Sequence, residues 1–178
     1  MEDLETERLI LRKFRRSDVN DLYKITSNKK VAEYSDFNVH TSKDDTLFSI
    51  ECAIEDYGSY ESCWAIEEKK AHKVIGFIRI LNASLKNKQC TISWGLGEEY
   101  WKLGYSDEIL KSLFDFLFNS HPFDIIITKY YSNIAFSNPI LENVGMKRDA
   151  ILRNRRINSI TGNKESLVVY SILKEEFI

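Results

Sequence analysis

The stretch from Trp94 to Glu108 reads WGLGEEYWKLGYSDE and runs into an apolar helical pattern. A loop of small residues feeding a helix start points several unpaired N–H groups in one direction. The helix dipole adds roughly half a positive charge at the same place. Together they make an anion site suited to phosphate. Gly104 lets the backbone approach such a ligand closely. The Gly and Lys spacings match neither a P-loop nor a dinucleotide fingerprint. A glycine before a helix is also what an ordinary turn requires, so these residues alone leave both readings open.

The other reactive side chains are scattered. Cys52, Cys63 and Cys90 form no CxxC, and His40, His72 and His121 stand singly. This pattern fits neither a disulfide framework nor a metal site, and no metal is expected. Free thiols fit a reducing compartment. No Ser-His or Cys-His arrangement is evident, so no covalent acyl intermediate is called for.

The elements that must position the loop follow from periodicity. Arg8 to Arg12 alternates like a first strand. Helices are expected from Ser17–Asp18, from about Lys30, and from Thr41–Asp44, the last carrying Leu47, Ile50, Ala53 and Ile54. Residues 63–67, 74–81 and 90–96 read as three strands of an antiparallel meander. Residues 105–119 form the clearest helix, with Ile109, Leu113, Phe116 and Leu117 on one stripe. The solid apolar run at 124–131 reads as a buried central strand. A short helix before Gly145 and strands near 150–156 and 166–173 complete an α+β order with a strand–helix–strand unit at its centre.

Composition bounds the rest. With 178 residues the chain is expected to be one domain, 1–178. Lys plus Arg number 25 and Asp plus Glu 27, a net charge of −2, which argues against a nucleic-acid binder with a broad basic surface. No apolar run is long enough to span a membrane. The acidic start Met1-Glu2-Asp3-Leu4-Glu5 is unlike a secretory signal, so a cytoplasmic protein is expected.

Three ordered blocks resemble the GNAT superfamily of acetyl-CoA-dependent N-acetyltransferases, in the branch typified by the ribosomal-protein N-terminal acetyltransferases. They are residues 4–12, residues 99–106 with the following helix, and residues 133–146 followed by Arg153 and 170–173. The resemblance spans nearly the whole chain. It implies a mixed central sheet of about seven strands with helices on both faces, and two splayed strands forming a cofactor cleft. Leu96, Lys102, Leu103, Gly104, Tyr105, Ser106 and Asn133 would then bind acetyl-CoA. A backbone N–H among Ser93, Trp94 and Gly95, at a bulge, would polarise the thioester carbonyl.

Several positions depart from the family. Lys102 stands where Gly is frequent, and serves phosphate attraction or points to solvent. Asp107 replaces a frequent Thr and is expected to turn outward. The usual Tyr acid position is Leu141, which leaves Ser137 as the catalytic candidate near the sulfur. The usual carboxylate base position is Thr91. An α-amine, with a pKa of about 7.7–8.0, needs a base less than a Lys side chain does. A base from Glu33, Glu51 or Glu55, with Tyr34 on the same substrate side, is the other option.

The expected activity is acetyl transfer from acetyl-CoA to a primary amine, such as a protein or peptide N-terminal α-amine, by direct attack in a ternary complex. The alternatives are a small-molecule N-acetyltransferase (polyamine, amino acid or antibiotic) and a non-catalytic acyl-CoA-binding sensor. The expected partners are acetyl-CoA and an amine acceptor, with neither nucleic acid nor membrane, in a monomer or homodimer.

Overall fold

A computed structural model describes residues 2–33, 37–132 and 137–177, with the side chains of 137 and 138 outside that set. Its strands are β1 Leu4–Glu5, β2 Leu9–Arg12, β3 Cys63–Glu68, β4 Lys73–Ser84, β5 Gln89–Leu96, β6 Ile125–Tyr131, β7 Lys147–Ile157 and β8 Lys164–Leu173. Its helices are α1 Val19–Thr26, α2 Lys29–Glu33, α3 Lys43–Glu55, α4 Tyr105–Asn119 and α5 Ser137–Asn143. All eight described strands join one sheet in the order β1-β2-β3-β4-β5-β6-β8-β7. The additional strand is β1, whose two residues pair with Leu11 and Ile10 and are too short to show an alternation.

Only β5 and β6 pair in parallel; every other neighbour is antiparallel. A parallel pair needs a crossover, and α4 supplies it. Seven apolar side chains of α4 are buried, including Leu110, Phe114 and Phe118 besides the expected stripe. The wider buried face arises because α4 packs on two sides. It covers the sheet, and Phe177 closes on Phe114 and Phe118 at centroid distances of 6.0 and 5.6 Å.

The opposite face of the sheet is covered by α1 and α3 through Phe14, Leu22, Ile50, Ala53, Ala65 and Val74, with Phe77 and Cys63 packed alongside. The start of α3 is fixed by Ser42, whose hydroxyl accepts from the Asp45 N–H at 3.2 Å, while the Asp45 carboxylate accepts from the Ser42 N–H at 3.0 Å. A buried cation anchors α1. The Arg12 guanidinium grips Asp18 at 2.8 and 2.9 Å and Glu67 at 2.5 Å. Burial opposes the Arg12 charge, but these bonds outweigh it and hold its pKa above the ordinary value. No described helix is long and apolar enough to cross a membrane.

Candidate active site

The sheet opens at one point. β5 pairs with β6 from Gln89↔Ile125 to Ile92↔Thr128 and no further. Beyond that, β5 stays with β4 as far as Gly76↔Leu96, and β6 stays with β8 as far as Tyr131↔Leu167. The two strands part into a wedge that holds a cleft of about 400 Å³. Ser93, Trp94, Gly95 and Leu96 line one side, and Lys129, Tyr130 and Tyr131 line the other.

Backbone direction sorts the three candidate carbonyl-polarising residues. The Gly97 N–H donates to the Ile75 carbonyl on β4 at 2.9 Å. Backbone groups alternate along a strand, so those of Gly95 and Ser93 also turn to β4, and those of Trp94 turn to the gap. Two contacts agree with this phase. The Thr128 hydroxyl donates to the Ile92 carbonyl at 3.1 Å, and the Trp101 indole donates to the Leu96 carbonyl at 2.9 Å. The register between β4 and β5 is unbroken from Gly76 to Leu81, so no bulge lies at Ser93–Gly95; the irregularity falls between Leu81 and Ser84. The Trp94 N–H is left open by the divergence of the neighbouring strand, not by a bulge.

At the end of β5 the chain makes a single helical turn at Glu98–Tyr100 and then enters α4. Lys102 has φ +63° and Gly104 φ +77°, both left-handed. Two left-handed residues around Leu103 curl the backbone so that successive N–H groups converge, a concavity that holds anions. The first α4 N–H groups, from Tyr105 to Asp107, have no acceptor within the helix and extend it. Such an arrangement suits an anion. Lys102 and Ser106 line the cleft beside it, and the Ser106 hydroxyl accepts from the Trp94 indole at 3.3 Å. Leu103 is exposed and Tyr105 is buried, its hydroxyl donating to Glu68 at 2.6 Å. Both therefore act here through backbone. Asp107 is half-buried and does not line the cleft.

The cleft passes through the sheet. On the α4 side lie Trp94, Trp101, Lys102 and Ser106, and on the α1–α3 side lie Phe77, Arg79, Leu81, Thr91, Val31 and Phe37. Phe77 covers Gly95, where an added Cβ would meet its ring at 3.0 Å.

The other candidates fall as follows. Thr91 is buried in the cleft wall. Glu51 pairs with Arg16 at 2.9 Å, Glu55 is exposed, and neither lines the cleft. Glu33 lines an adjoining pocket with Phe37, Asn38 and Arg156. Tyr34 and Asn133 lie outside the described residues. Ser137 opens α5, with its side chain also outside them. Leu141 is fully buried in the core. Residues that the sequence reading missed are Phe77, Arg79, Lys129, Tyr130 and Tyr131. Arg79 carried a usable signal: it is the lone charge within 74–81, in phase with Phe77 and Leu81.

Comparison with known proteins agrees with this geometry. The chain is 24% identical over 172 residues to the uncharacterized N-acetyltransferase YoaA of Bacillus subtilis, covering 96% of each chain. Its fold is similar to RimL, the ribosomal L7/L12 alpha-N-protein acetyltransferase solved with coenzyme A, at a TM-score of 0.85 and 17% identity over 97% of this chain and 98% of that one. It is also similar to the spermidine N-acetyltransferase of Vibrio cholerae, solved with CoA and spermine, at a TM-score of 0.83 and 15% identity over 95% and 97% of the two chains. Residues 8–147 match the acetyltransferase (GNAT) domain model, and the chain belongs to that family.

Proposed function

We propose that this N-acetyltransferase moves an acetyl group from acetyl-CoA to the α-amine of its acceptor within the wedge between β5 and β6. The observation that carries the reading is the open Trp94 edge, set between the left-handed turns at 102 and 104 and the Arg79 face of the sheet. The converging N–H groups hold the pyrophosphate, with Lys102 beside them. The pantetheine arm lies along the free edge of β5 and donates an amide N–H to the Trp94 carbonyl, which leaves the Trp94 N–H for the acetyl group. The acceptor enters from the α1–α3 side.

The amine nitrogen bonds to the acetyl carbon and the C–S bond breaks. The Trp94 N–H faces the oxygen on which negative charge develops. The sulfur leaves as a thiolate of ordinary pKa, about 8.5, and takes up the proton that the acylated nitrogen sheds, directly or through Ser137. The cleft wall has no Asp, Glu or His among the described residues. An α-amine tolerates this because part of it is neutral near pH 7. Desolvation pushes the Cys63 and Cys90 thiols up to about 12, which keeps both protonated and suits direct transfer better than an acetyl-cysteine.

The test is thiol release from acetyl-CoA with a panel of α-amines and ε-amines, with products identified by mass spectrometry. Acceptor-dependent release that follows the neutral fraction of the amine is expected. Saturable acetyl-CoA binding without release would assign the chain to the non-catalytic binders.

A further inference from the structure

Arg79 sits on β4 with Cys63 opposite on β3 and Ser93 opposite on β5. It lines the cleft on the acceptor side, and its Nε is buried with no hydrogen-bond partner. Neighbouring groups do not neutralise it. Cys63 stays a protonated thiol, Ser93 carries no charge, and no ion pair reaches Arg79 among the described residues. Other interior cations here are matched, as Arg12 is by two carboxylates and Arg156 by Glu165. A guanidinium is always charged, and here the shielded Nε leaves the two terminal nitrogens, which have no partner among the described residues, as the part that can meet an anion in the cleft.

The described lining of the cleft carries one sign. Arg79, Lys102 and Lys129 are its charged residues, and no carboxylate accompanies them among the described lining. Lys102 stands at the phosphate end. Arg79 stands across the sheet, where the acceptor enters. A polyamine would bring further positive charge to this wall and find no carboxylate to bind. A carboxylate would meet the planar fork of Arg79 in two parallel hydrogen bonds.

We propose that Arg79 is the anion-docking residue of the acceptor site and that the amine acceptor carries a carboxylate. This rests on the acetyl-transfer reading given above. Two sources share the chemistry: the α-carboxylate of a free amino acid, and an acidic side chain near the N-terminus of a peptide.

The experiment measures kcat/KM, referred to the neutral amine at each acceptor's own amine pKa, for free amino acids against their α-carboxamides, and for peptides differing only by glutamate or glutamine at the second position. In at least one arm the carboxylate form is expected to be preferred on the order of 10- to 100-fold, the span of a charged hydrogen bond. In Arg79→Gln that ratio collapses to within about threefold, and in Arg79→Lys it falls between. The loss appears in the acceptor KM, with the acetyl-CoA KM unmoved. Because the ratio is taken within one enzyme, a partly unfolded variant does not imitate its collapse. Thiol release with amines but no carboxylate preference in either arm overturns the docking role alone. So does a preference that persists in Arg79→Gln, or a rise confined to the acetyl-CoA KM. Absence of release with every amine overturns the acetyl-transfer reading and this proposal with it.

Discussion

Arg8 and Glu108, a hundred residues apart in the chain, tie the edge of the sheet to the first turn of α4. The Arg8 backbone N–H donates to Glu108 at 2.8 Å and its Nε donates to the same carboxylate at 2.6 Å. Another guanidinium nitrogen donates to the Leu103 carbonyl at 3.0 Å, and the group lies 4.4 Å over the Tyr105 ring. One side chain thus fixes both the helix and the curled loop before it. Arg8→Ala is expected to raise the acetyl-CoA KM by roughly tenfold through loss of loop positioning, with a smaller change in kcat. Steady-state kinetics checks this, and an unchanged KM would mean that the loop keeps its shape without Arg8.

The same contact predicts an acid sensitivity. Burial opposes the Glu108 charge, but bonds from Thr6, the Arg8 backbone and the Arg8 side chain outweigh it, and the carboxyl titrates below its ordinary 4.5. The unfolded chain then takes up this proton at a higher pH than the folded one. The stability contribution is complete above about 4.5 and is lost as pH falls through the folded value. The melting-temperature gap between wild type and Glu108→Gln should therefore be widest near neutrality and shrink as pH falls below the ordinary 4.5. A gap that widens in acid would refute the assignment.

Lys102 occupies a left-handed conformation that costs a non-glycine residue roughly 1–2 kcal/mol. Lys102→Gly removes that strain and gains backbone freedom in the unfolded chain, for a net stabilisation of about 0.5–1 kcal/mol, or roughly 1–4 °C in Tm. If backbone N–H groups supply most of the phosphate attraction, acetyl-CoA affinity falls by less than about threefold. Calorimetry of both variants, Lys102→Gly and Lys102→Ala, separates strain from charge, because only the first relieves the backbone.

Gly76 has no room for a side chain. A Cβ there would stand 2.3 Å from the Gly95 carbonyl oxygen and 2.7 Å from the Leu96 side chain. Gly76→Ala must push β5 away from β4 beside the Trp94 edge. A loss of about 1–3 kcal/mol is expected, the usual cost of overpacking. Where the variant still folds, kcat should fall more than the acceptor KM rises, since the displaced edge carries the proposed carbonyl donor. Denaturant unfolding and kinetics on the same preparation decide both points.

Much of the frame was legible in the chain. The apolar stripe of 105–119 located α4, the apolar-rich segments at 63–67 and 90–96 located two meander strands, and the glycine before α4 located the loop. Those signals are local, and local periodicity reports burial directly. The parting of β5 and β6 after Ile92 and Thr128 is a relation between two strands, and neither carries a mark of it. Glu51 and Glu55 show a different failure. The buried residues of α3 are Thr46, Ile50 and Ala53, so its helical phase turns those carboxylates away from the sheet. β4 also runs to Ser84, past the expected Leu81, because an irregularity in pairing lets the strand continue through polar residues.

The four residue pairs that join β5 to β6 have a mechanical meaning. The sheet resembles a book whose covers are β1–β5 and β6–β8, bound along a short spine and held from behind by α4. An open page edge of N–H and C=O groups exchanges its hydrogens with water readily. A guest of peptide-like amides seated in the fold completes the missing rungs and turns two half-sheets into one continuous ladder. In the proposed complex such a guest would be a temporary structural element, and its departure would reopen the ladder.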